Sequence, residues 1–508
     1  MRVSVTALGA SLAALLAASP ALADVTPAQV WDNLSGYMAE LGYTVGGTVG
    51  GSDAKMTVSG ATISLPVEEP DGTAVIRLGD LSLSDLGDGT VRVSFPESMP
   101  IEVMVTPPDE QPVEVVIDYR QQGLDMIVSG TPEEMVYAAT ADSITLALSK
   151  LVADGAEMPR DVIRAEMSLA PVTSDSTIGM RGDMRHIAQS TTIGTLSYDI
   201  AGRAPDGSGS GNVTGRMSGV SGASDMVLPT GMAETDPAAI MASSLEGTSS
   251  FRHEGGDVQF SFTEEGKTTS GAASSGGLDL SARFSGAEMA LDTRATGVTW
   301  NAAGGDLPFP LSASTDELAF ATVLPLAKSD TPEDVALGVT LAGFTTADMI
   351  WNLFDPGKVL PRDPATIAID LTGKVTPFVN LFDEAEMARV EAGEVVPGEL
   401  NALTLNSLTV EAAGAKITGT GDFVFDNTDM TSFEGMPKPT GEVNLTVAGA
   451  NGLIDNLIRM GFVSEEDAMG ARMMLSMFGV PGPAPDSLTS KIEVNDQGHV
   501  LANGQRIK

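Results

Sequence analysis

The residues able to do chemistry are few and scattered. There are three histidines, His186, His253 and His499. They lie far apart in sequence, none belongs to an HExxH motif, and each reads as a solvated strand or turn residue. Cysteine is absent, which excludes disulfides, thiolate catalysis and cysteine-ligated zinc. Ser52-Asp53-Ala54-Lys55 has the S-x-x-K spacing of a serine–lysine hydrolase, and Lys267-Thr268-Thr269 faintly matches K-T-G. That chemistry needs the serine at a helix start, whereas this tetrapeptide follows a glycine-rich run and precedes alternation. Gly266-Lys267-Thr268 ends like a phosphate-binding loop, but Ser261 stands where the first glycine belongs, so the segment reads as a hairpin tip. Asp426-Asn427-Thr428-Asp429 is the best carboxylate cluster, without the alternating ligands and glycine of an EF loop. No nucleophile–base pair results. The chain reads as non-catalytic, with no cofactor and no metal site.

The densest special chemistry is the run from Asp355 to Pro364. Pro356, Pro361 and Pro364 stiffen it and restrict the residues before them. Arg362 is expected to lie between Asp363 and, through space, Asp355. One reading is a rigid joint from helix to strand, held by an Arg–carboxylate pair. The functional alternative is a docking loop formed by Trp351, Asp355, Pro356, Leu360, Pro361, Arg362, Asp363 and Pro364.

The elements that must carry these residues are mainly strands. Val91, Val93 and Phe95 alternate, as do Ile101, Val103 and Val105, then Val113, Val115, Ile117 and Tyr119, then Leu124, Met126 and Val128. Proline- and glycine-rich turns separate them, which predicts an antiparallel meander. Thr26-Pro27-Ala28-Gln29 predicts a helix start, and Val30, Leu34, Met38 and Leu41 form one apolar stripe ended by Gly42. Thr131-Pro132-Glu133-Glu134 predicts a second, short helix, and Thr230–Gly247 another. Ser464 caps a helix with acids in its first turn. Within 335–383 one pattern occurs twice: a strand, a glycine (Gly343, Gly373), then helical spacing. A third copy runs through Val443, Leu445 and Val447 to Gly449 and Leu453. The fold class is therefore β-rich α+β: a long curled antiparallel sheet with short helices on one face and strand–Gly–helix repeats in the C-terminal half. The domains expected are a signal peptide over 1–23, an N-terminal helix and meander over 24–200, Gly/Ser-rich hairpins with one helix over 201–286, and the repeat region over 287–508.

Acidic residues number 68 against 28 basic ones, a net charge of −40, which repels phosphate backbones and makes nucleic acid a poor partner. Arg2, the apolar run after it and Ala21-Leu22-Ala23 form a secretory signal with cleavage after Ala23. The mature chain is expected in the periplasm, with no transmembrane segment. Aromatics are only 5% of the residues, too few for the girdles of an outer-membrane barrel. Methionine is abundant, and it makes adaptable apolar surfaces suited to lipid chains as well as ordinary core.

The stretch IWNLFDPGKVLPRDPATIAIDLTG, with VEAAGAKITGTGDFVFDN and PTGEVNLTVAGANGLIDNLIRMG further on, resembles the domain-of-unknown-function family 2125. The resemblance implies an exported protein of Gram-negative bacteria and supplies no catalytic residues. It is strongest from Trp351 onward and extends over most of the mature chain. The strand–glycine–helix style is also similar to that of AsmA-like envelope proteins, which implies lipid handling between membranes.

The function expected is binding of lipid or another hydrophobic ligand in cell-envelope maintenance. The alternative is a structural or assembly partner of envelope proteins, with the sheet edge or the 355–364 loop as its contact. One structural question decides how the N-terminal half is used. The apolar wall of 91–128 is either an open groove beneath a movable helix 27–41 or an ordinary core with that helix built into it.

Overall fold

The computed structural model describes residues 24–66, 73–106, 111–230 and 245–508. The signal segment 1–23 and most of the helix expected over 230–247 lie outside them. The chain is mostly strand, in one large antiparallel sheet with few short helices. It divides into two compact units. The first takes the described residues of Met1–Arg160, Ala165–Gly194 and Val227–Thr235, the second those of Asp161–Arg164, Thr195–Met226 and Asp236–Lys508.

In the first unit, helix α1 (Pro27–Glu40) starts where its sequence predicts. The Thr26 hydroxyl accepts from the Gln29 N–H at 3.3 Å, and the Gln29 side chain accepts from the Thr26 N–H at 2.9 Å. This capping box satisfies donors that no helical carbonyl can reach. Leu41 caps the other end and Gly42, at φ 86°, turns the chain out. Val25 and Val30 are buried among Val58, Leu83, Val91, Val128 and Met135. A part-buried ion pair between Glu40 and Arg185, 2.5 Å long, holds the far end. The helix is thus part of the core, and the wall at Val91, Val93 and Val128 is closed by it. The helix expected at Thr131–Glu134 is instead a tight turn between strands Asp125–Thr131 and Glu134–Ala141, closed by the Glu134 N–H on the Thr131 hydroxyl. Two residues between paired strands leave no room for a helical turn.

In the second unit, eight strands follow one another as an antiparallel series: Glu288–Gly304, Leu311–Pro325, Glu333–Thr346, Ala365–Pro377, Gly398–Ala412, Ala415–Asp426, Lys438–Ala448 and Ser487–Val494. Helices α2 (Asp348–Trp351), α3 (Glu384–Glu391), α4 (Ala450–Met460) and α5 (Glu465–Phe478) interrupt it. The strand–glycine–helix unit is complete at Gly449, which sits at φ 70° directly before α4. Gly343 is also left-handed, at φ 66°, but marks a bulge inside its strand. Gly373 lies mid-strand, paired with Val335 and Leu403, and no helix follows at 378–382. The next helix, α3, waits for Asp383, whose carboxylate accepts from the Ala385 and Glu386 N–H groups.

Candidate functional site

The register of the second unit builds one apolar face. Leu318, Leu341, Ile367, Val410, Ile417, Val447 and Leu488 stand opposite one another in turn, across seven strands. Beside this row runs Phe320, Val339, Ile369 and Leu408, and beside that Leu337, Leu371 and Leu405. Residues two apart on a strand share a face, so the rows form one surface. The alternate rows are polar: Thr340, Thr409, Thr418, Thr446 and Thr489 fall in one, Thr372, Thr404, Asp422, Glu442 and Glu493 in another. Much of the apolar side is open to solvent. Leu318, Phe320, Leu337, Val339, Ile367 and Ile417 are between 36% and 45% exposed. A contiguous apolar surface across so many strands is more than single exposed residues, which need no explanation. The alternation of LAFATVL puts Leu318 and Phe320 on one side of a strand, and only the register shows that they extend the rows of 337–371.

The 355–364 loop closes on itself. Asp355 is buried, and its carboxylate accepts from the Val359 N–H at 2.8 Å and the Leu360 N–H at 2.9 Å. Burial pushes its pKa up, but these two bonds and the Arg362 charge outweigh that and hold it below the usual carboxylate range. Arg362 pairs neither with Asp363 nor with the Asp355 carboxylate. Its guanidinium reaches Asp348 Oδ1 at 2.7 Å, Asn352 Oδ1 at 2.7 Å and the Asp355 carbonyl at 3.0 Å, and lies 5.8 Å from the Trp351 ring centroid. The one turn of α2 brings Asp348 and Trp351 to this cation, a contact invisible in linear spacing. Leu360 is buried; Pro361 and Trp351 are half-buried; Pro356, Asp363 and Pro364 are exposed. The eight residues are therefore together, as a joint, but Asp355 and Leu360 cannot meet a partner.

Residues 244–504 match the family described as an uncharacterized protein conserved in bacteria, DUF2125. The chain belongs to this family. The match begins near the middle of the sequence and contains the three apolar rows of the sheet and the 355–364 joint, but not the first unit's core. No curated protein and no solved structure matches the chain. Among the described residues no helix is long and apolar enough to cross a membrane.

The remaining candidates of the DUF2125 chain take structural places. Ser52 and Lys55 face each other across the first hairpin turn, not at a helix start. Gly266, at φ 78°, is a hairpin tip, and Lys267 beside it pairs with Asp306. Asp426 and Asp429 are consumed by their own turn; hydrogen bonds from the Ser432 hydroxyl and N–H hold Asp429 down to about 2. His186 and His253 are buried strand residues rather than solvated ones.

Proposed function

We propose that the DUF2125 segment binds hydrocarbon chains of lipids along its apolar sheet face, as a non-catalytic component of cell-envelope maintenance in the periplasm. The observation that carries this reading is the set of three adjoining apolar rows, half-exposed, with polar rows on the reverse. Such a face is favoured to leave water at about 25 cal/mol per Å², and an extended chain lying across the strands meets side chains of one kind throughout. Its rows carry aliphatic and aromatic side chains and no charge, which suits alkyl chains better than charged ligands. Native mass spectrometry of the purified chain, with lipid extraction, tests it. Lipid should accompany the wild-type protein and be lost from a Val339→Asp, Ile367→Asp variant, whose replaced side chains are already more than one-third exposed. A wild-type chain that carries no lipid and takes none from added vesicles would end the proposal. N-terminal sequencing that starts at Asp24 would support the periplasmic assignment.

A second reading, docking to an envelope protein, is favoured by exposed Met349, Leu353 and Phe354 at the α2 corner. In that case Leu353→Asp would abolish co-purification of a protein while leaving lipid uptake unchanged.

A further inference from the structure

The first unit holds an apolar cavity of about 260 Å³, outside the segment that matches DUF2125. Phe95, Ile101, Met126 and Ile144 form its walls. It exists because small residues stand in register with large ones. Ala139 lies between Met126 and Ser174 across three strands, and Ala141 opposite Val172. The cavity is half-open to solvent, and most of its lining residues are partly exposed. The cavity is also poorly made for water. Its polar side chains are limited to Tyr119 and Ser174, since Thr140, between Ala139 and Ala141, turns its side chain to the other sheet face, and the Ser174 hydroxyl is already bonded to Thr191 at 2.9 Å. A well-ordered water needs two to four polar partners. No lining residue is charged. A carboxylate or phosphate drawn inside would lose its hydration without a cation to meet it, in a chain whose net charge is −40.

We propose that this cavity is a separate binding site for the end of one neutral aliphatic chain. An apolar cavity of about 150 Å³ takes up benzene, and by that proportion this one holds about ten carbons. The site does not depend on the sheet face of the second unit. A long-chain alcohol or ester fits it, with its polar end at the Tyr119 hydroxyl.

The full chain, with its methionine methyl groups carbon-13 labelled, is titrated with 1-decanol and, separately, with decanoate. Added 1-decanol should shift the Met99 and Met126 resonances, which line the cavity. It should do so equally in the Val339→Asp, Ile367→Asp variant, so the result is independent of lipid binding by the second unit. Decanoate should bind at least tenfold more weakly. Ala139→Leu, which fills the gap, should weaken 1-decanol at least tenfold; Ala139→Val, a smaller change for the fold to absorb, should weaken it less. The proposal is overturned if 1-decanol leaves both resonances unmoved, if decanoate binds as well, or if folded Ala139→Val and Ala139→Leu variants bind like the wild type.

Discussion

The Tyr137 hydroxyl donates to Asn33 Oδ1 at 2.9 Å, joining strand Glu134–Ala141 to helix α1 across more than a hundred residues of chain. Burial pushes the Tyr137 phenol up to about 12 from 10.0. A raised folded-state pKa means the neutral phenol's contribution is full below pH 10 and is lost as pH rises toward 12. Urea unfolding should therefore show falling stability above pH 10. Tyr137→Phe should cost about 1 kcal/mol at pH 8 and flatten the alkaline limb. Tyr37 and Tyr119 are also raised by burial, so some slope remains.

Helix α1 should behave as core. Val30 is 1% exposed, and Val30→Ala should destabilise the protein by about 2 kcal/mol, the transfer of two methyl groups plus some cavity cost. Deleting Thr26–Leu41 should leave the first unit molten, seen as dye binding with lost near-ultraviolet dichroism. A deletion variant that unfolds cooperatively at the wild-type midpoint would show the helix to be a cover instead.

Two glycines should respond with opposite signs. At Gly449 the backbone is left-handed, and an added Cβ would stand 2.1 Å from the Gly414 carbonyl oxygen. Gly449→Ala should destabilise by roughly 1–3 kcal/mol. Gly36 is an exposed interior residue of α1 with open space around its Cα, and Gly36→Ala should stabilise by about 0.5–1 kcal/mol. Thermal unfolding of the two variants checks both.

The 355–364 joint should loosen in acid. Because the Asp355 pKa is depressed on folding, its contribution is complete above the ordinary carboxylate value of 3.8 and disappears as pH falls below it. Asp355→Ala leaves the Val359 and Leu360 N–H groups without their acceptor and should lower the melting point at pH 7, with a smaller difference at pH 3. An equal loss at both values would place the effect in packing and not in the carboxylate.

What the sequence makes plain is what is local. Thr26, Pro27 and Gln29 specify a helix start within four positions, and Ser464 does the same for α5. Alternation finds the strands and even their apolar sides. It does not find where a strand stops, because Gly373 is an end by local rules and a mid-strand residue once Val335 and Leu403 flank it. It finds the 355–364 joint through its prolines but not the Asp348 partner of Arg362, which depends on how a single helical turn is placed. The buried state of His186 and His253 and the gap at Ala139 depend on neighbours distant in sequence, and no short window contains them.

From Glu288 to Val494 each long strand pairs with those next to it in the chain. Such an order lets folding proceed as a zipper. Every strand, once laid down, is the template for its successor, and each step closes a single local connection, the longest being the α4–α5 segment between Ala448 and Ser487. The same order leaves one open edge throughout growth, able to accept any other extended chain until the next strand arrives. Refolding at high protein concentration should therefore fail by edge-to-edge association, and a chain truncated after Ala412 should keep that edge permanently and polymerise.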